Sequence, residues 1–153
     1  MKYSESDVTI YNSDDALNFI REHPERFLPF GCKRCSSLIG LAVNQILSIT
    51  EANTTAFKID NWWGVSCEVD WITLQNKQTI NQFFKTVTPC PQSAINSICI
   101  EVVLYVFAND VISISKDEIV SIKGKTPTEY VIVNSKKTVS KWKRILMIRC
   151  DNI

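Results

Sequence analysis

Residues 93–108 read SAINSICIEVVLYVFA, and the architecture turns on them. A helix on the surface of a small protein keeps one polar face. This stretch has only Asn96, Ser97 and Glu101 as interior polar positions. As a helix it spans roughly 24 Å, about the width of a small domain. It is therefore expected to run through the middle of the fold, with a sheet supplied by the rest of the chain to cover it. Downstream, residues 111–115, 119–123, 129–134 and 143–150 are β-rich. Their short connections predict an antiparallel meander. Upstream, Pro89-Cys90-Pro91 is a rigid break and residues 77–87 read as a short helix.

Further upstream the period changes. Residues 54–59 and 65–72 read as strands joined by DNWWG at 60–64. In the second strand Val65, Cys67, Val69 and Trp71 point one way and Ser66, Glu68 and Asp70 the other. Residues 33–50 carry Cys35, Leu38, Ile39, Ala42, Val43, Ile46 and Leu47 at helical spacing. Ser13 is a good cap for a helix whose first turn holds Asp14 and Asp15. Pro24 interrupts that helix and starts a further turn to Leu28, and residues 8–11 read as a short strand. The order predicts an α+β fold, a two-layer α/β sandwich with a mostly antiparallel sheet and helices packed on one face.

The chain has 153 residues, 45% hydrophobic and 22% charged, a balance that argues for one globular domain, 1–153, and against disorder. A net charge of +1 makes no case for nucleic acid or an anionic membrane as partner. No apolar run reaches the ~18–20 residues of a membrane span. The opening stretch MKYSESDVTIYNSDD lacks the apolar core of a signal peptide. The expectation is a cytoplasmic protein without a cofactor, its six cysteines reduced. Acids dominate the first thirty residues. Lys123, Lys125, Lys136, Lys137, Lys141, Lys143, Arg144 and Arg149 crowd the last thirty-one. These cations either solvate edge strands or form a patch for a polyanion or an acidic partner.

Residues 15–28, DALNFIREHPERFL, resemble the segment before the first long helix of gyrase B, with an Arg and a Pro at similar spacing. The helix ending at Glu51-Ala52 looks like the ATP-binding helix of the gyrase-B-type ATPases, which include heat-shock chaperones and histidine kinases. The hairpin and the apolar helix follow in that family's order, and the similarity of layout spans residues 13–150. The resemblance implies a helix with a Glu that activates water and an Asn that holds magnesium. The matching stretch GLAVNQIL at 40–47 has no acid and keeps only Asn44. It also implies an Asp for the adenine amino group, followed by glycines that let the backbone approach. Asp60 with Trp62, Trp63 and Gly64 is one register. Asp70 with Trp71, Ile72 and Thr73 is the other and suits the hairpin better, but it lacks glycine. The glycines, at 31, 40, 64 and 124, do not cluster into a phosphate lid. What the resemblance implies is a degenerate, non-catalytic copy, with Asn44 and Asp70 as its remaining nucleotide contacts.

Cys32-Lys33-Arg34-Cys35 is a CxxC at a helix start, open to structural, redox or metal readings. Cys90 and Cys99 complete a zinc set only at a non-standard spacing. His23 is the single histidine, placed at a helix break. Asp60, Glu68 and Asp70 with Trp62, Trp63 and Trp71 are either core aromatics and solvated acids or a binding patch. Aromatic anchors ringed by acids suit a basic protein partner. The function expected from these features is non-catalytic protein binding, as in a bacterial immunity protein that blocks a toxin. A nucleotide-binding regulator is the alternative.

Overall fold

The computed structural model describes residues 14–75, 79–90, 98–138 and 140–151. The expected strand at 8–11 and the Ser13 cap lie outside them. Helix α1 (Asp14–Glu22) has Asp14 and Asp15 in its first turn and Arg21 in its last, matching the helix dipole at both ends. Pro24 opens the single turn α2 (Pro24–Phe27), where its missing N–H costs nothing. Helix α3 (Cys35–Ile49) buries Cys35, Leu38, Ile39, Ala42, Gln45 and Ile46, one stripe of a 3.6-residue period.

Strands β1 (Thr54–Ile59) and β2 (Trp62–Cys67) pair antiparallel from Thr54 opposite Cys67 to Ile59 opposite Trp62. The hairpin turn is Asp60-Asn61, with Asp60 at φ 53°, so Trp62, Trp63 and Gly64 belong to the strand and not to the loop. β2 stops at Cys67 instead of running to residue 72. The Asp70 carboxylate accepts from the Thr73 N–H at 3.4 Å, capping helix α4 (Trp71–Gln75). Helix α5 (Ile80–Phe84) is capped by Thr79, whose side chain accepts from the Gln82 N–H. The apolar helix is described from Ile100, as α6 (Ile100–Phe107), with Ile100 to Leu104 and Val106 buried. Its expected start at 93–97 lies outside the described residues.

Strands β3 (Asp110–Ser115), β4 (Ile119–Lys123) and β5 (Arg144–Arg149) complete a five-stranded antiparallel sheet in the order β1-β2-β5-β3-β4. The class is α+β, as expected, but the meander is not. Residues 129–134 are not a strand; they start helix α7 (Glu129–Lys137). β5 passes between β2 and β3 and lies at the centre, with Ile145, Leu146, Met147 and Ile148 fully buried.

Each sheet face has its own core. Val65, Cys67, Val111, Leu146 and Ile148 pack with α3 and α6. Trp62, Ile112, Ile114, Ile145 and Met147 pack on the other face with Val131 of α7 and Trp142. Among the described residues the expected one-sided helical layer is joined by a single helix, α7, on the opposite face. Gly64 lies under the Phe57 ring, which a Cβ would overlap.

The cysteines are not all free. Cys35 at the start of α3 is disulfide-bonded to Cys150 just past β5, across 115 residues, with Cα atoms 5.9 Å apart. The expectation of six reduced thiols is corrected by that bond.

Candidate functional site

The expected aromatic and acidic residues do not share one surface. Trp62 is 6% exposed in the core under α7. Trp71 is 1% exposed in the core of the opposite face. Neither is placed to anchor a partner, because β2 and α4 turn both indoles inward. Asp70 is engaged as well. Arg144 Nε donates to its Oδ1 at 3.0 Å and Nη2 to its Oδ2 at 2.7 Å, a two-pronged charge-assisted pair. Arg144 Nη1 donates to Ser113 Oγ at 2.8 Å. Glu68 is half-buried just beyond β2, with its N–H on the Asn53 carbonyl. Asp60 is exposed at the hairpin tip, and Trp63 is half-buried.

Trp63 is the one tryptophan of that set that is not buried. It walls a groove of about 560 Å³ between the hairpin and the start of α3. Lys58 lies across its ring at 5.4 Å from the centroid. Arg34 and Ser36 from the first turn of α3, Asn61 from the hairpin, and Arg149 and Asp151 from the end of β5 form the rest of the wall, and the Cys35–Cys150 bond lines it too. Arg149 pairs with Asp110 and, at 2.6 Å, with Asp151. These two acids hold its guanidinium above its ordinary value, Asp151 first. The open charge comes from Arg34 and Lys58, neither of which forms a salt bridge among the described residues. The groove is cationic, with Arg34, Lys58 and Arg149 against Asp151, whereas the patch expected from the sequence was acidic. Basicity concentrated late in the sequence did not signal it, because Arg34 and Lys58 come from the first half of the chain.

Cys32 sits beside the same helix end. Ser37 Oγ lies 3.3 Å from its Sγ. That contact, with the Arg34 backbone N–H, pulls the thiol below its ordinary value. Its neighbour in the CxxC, Cys35, is 6% exposed and bonded to Cys150, which removes the zinc set drawn through both. Among the described residues no group of three His, Cys, Asp or Glu is placed to hold a metal. His23 Nδ1 lies 2.8 Å from the Phe19 carbonyl oxygen, and its ring stacks on Phe19.

The positions implied by the nucleotide resemblance are scattered. Asn44 is exposed on α3, Asp70 is held by Arg144, and Gly64 is covered by Phe57.

A buried polar centre went unread in the sequence. Gln45 of α3 donates its amide N–H groups to both Glu101 oxygens of α6, at 2.7 and 2.8 Å. Gln45 Oε1 accepts from the Ile100 N–H. Burial pushes the Glu101 carboxyl up to about 7, against the opposing pull of Gln45, its own backbone and the Trp71 indole. Burial likewise raises the Cys99 thiol, with the Glu101 charge second and Cys90 beside it. The lone acid inside an apolar helix was the available signal.

These features define an α+β protein on a five-stranded antiparallel sheet, with a cationic, tryptophan-walled groove at the start of its longest described helix. No protein-family model, no curated protein and no solved structure matches the chain. No helix among the described residues is long and apolar enough to cross a membrane.

Proposed function

We propose that this protein is a non-catalytic protein-binding module whose groove takes an acidic segment of a partner protein. The observation that carries the reading is Trp63, half-buried in the groove wall, with Lys58 over its ring and Arg34 nearby, neither cation in a salt bridge among the described residues. A rigid aromatic anchor with adjacent charge is the composition of a binding hot spot. The other functional candidates are occupied by structure: Asp70 by Arg144, Arg149 by Asp110 and Asp151. Within this class we favour an immunity protein that neutralises a toxin by covering an acidic surface of it. A cytoplasmic home belongs to the same reading, and it makes Cys35–Cys150 a bond that cellular thiols act on.

The test is capture from the source cell extract by the immobilised chain, with Trp63→Ala and Lys58→Glu as paired baits. The expected result is a protein retained by the parent and lost by both variants, while their circular dichroism and urea midpoints hold. That protein, expressed alone, arrests growth, and co-expression of the chain restores it. Identical captured sets for parent and variants would overturn the groove assignment.

A further inference from the structure

We propose that Cys35–Cys150 is an exchangeable disulfide and that its groove selects a small anionic thiol as the attacking partner. Three features of the groove favour the exchange. First, the bond is reachable. Both cysteines line the groove, and Cys150 is half-buried whereas Cys35 is 6% exposed. Cys150 is the more accessible of the two residues, and the attack is assigned to its Sγ. Secondly, the leaving sulfur is well placed. Cys35 is the first residue of a fifteen-residue helix and follows Lys33 and Arg34. The positive end of a helix and neighbouring cations stabilise the negative charge that develops on a departing sulfur. Thirdly, Arg34 and Lys58 carry open positive charge beside the bond, and a charged cleft raises the encounter rate of the opposite charge.

The step is a simple exchange. The thiolate RS⁻ attacks Cys150 Sγ and forms an RS–S–Cys150 bond. The Cys35–Cys150 bond breaks, and its electron pair leaves on Cys35 Sγ. The incoming sulfur is oxidised, Cys35 is reduced, and no proton moves. Cleavage unties the start of α3 from the end of β5, the two segments that hold Arg34 and Arg149 in the groove wall. Neither the exchange nor its charge selection requires a partner protein.

The experiment uses the full oxidised chain carrying Cys32→Ser, so that the low-pKa neighbour does not compete. Reduced glutathione, which is anionic, and cysteamine, which is cationic, react with it at matched thiolate concentration. Each rate is divided by the same thiol's rate on a small uncharged disulfide. The expected result is a normalised preference for glutathione of at least about tenfold at low salt, as electrostatic steering allows, with the adduct mapped to Cys150. Raising the salt to about 1 M, where charges are screened within a few ångströms, collapses the preference without any substitution. Lys58→Glu collapses it at low salt. Equal or faster reaction of cysteamine, an adduct on Cys35, or reaction only after unfolding in urea would each overturn the proposal. No partner protein is present in this assay, so its failure is distinct from failure of the capture experiment.

Discussion

Replacing Glu101 by glutamine removes one ionisation from the centre of the main core and leaves its shape nearly unchanged. In the folded protein Glu101 holds its proton up to about 7, against an ordinary 4.5. The unfolded chain releases that proton near the ordinary value. Between these two values the folded state binds more protons, so stability falls as pH rises through the window. Below the lower value the contribution is fully present, and above the upper one it is lost. The shift corresponds to about 3 kcal/mol in full. Most of it, about 2–3 kcal/mol, falls between about pH 5 and about pH 8. Glutamine at 101 cannot titrate, so the stability difference between parent and variant should move in the variant's favour by that amount over the same interval. With a urea slope of about 2 kcal/mol per molar, the relative midpoint moves by roughly 1 M. The assay is urea unfolding at a series of pH values, followed by tryptophan fluorescence, since the Trp71 indole interacts with the carboxylate. The Cys99 thiol beside it is raised by burial and does not titrate in this range. Parallel pH profiles for parent and Glu101→Gln would refute the argument.

Other outcomes follow from named contacts. Cys150→Ser should lower stability by about 4–5 kcal/mol if loop-closure entropy governs, read as a lower urea midpoint than the oxidised parent's. Arg144→Met should cost about 3 kcal/mol, because it leaves Asp70 and Ser113 without their partner in a largely buried setting; adding Asp70→Asn should recover part of the loss. Gly64→Ala should cost about 1–3 kcal/mol by forcing the Phe57 ring off the sheet, measured by thermal unfolding. Trp63→Ala should leave folding intact and weaken partner binding by more than ~2 kcal/mol, measured by calorimetry on the captured partner.

The groove was only partly legible in the sequence. Trp63 could be named as an anchor because the Trp62-Trp63 pair sits at a hairpin. Its neighbours Arg34, Lys58 and Arg149 are far apart in the chain and have no shared motif. Trp71 was misplaced because the alternating pattern was extended past Cys67, where Asp70 caps a helix instead. Glu101 was visible as an exception in an apolar run, but its partner Gln45 lies on another helix.

Local periodicity determined much of the architecture: the stripe of α3, the β1–β2 hairpin, the apolar α6 and the run Ile145–Ile148 are all readable within one window. The chain around 129–134 defeats that reading. Tyr130, Val131, Ile132 and Val133 favour strands, yet the Thr128 cap and the terminal charges Glu129, Lys136 and Lys137 suit a helix. Burial of Val131 and Ser135, four residues apart, follows the helical period. Tertiary structure alone decided that β5 pairs between β2 and β3, that Cys35 meets Cys150, and which indoles face inward. Strand order and side-chain partners arise from contacts between distant segments, and no local propensity encodes which distant segment will supply the other half.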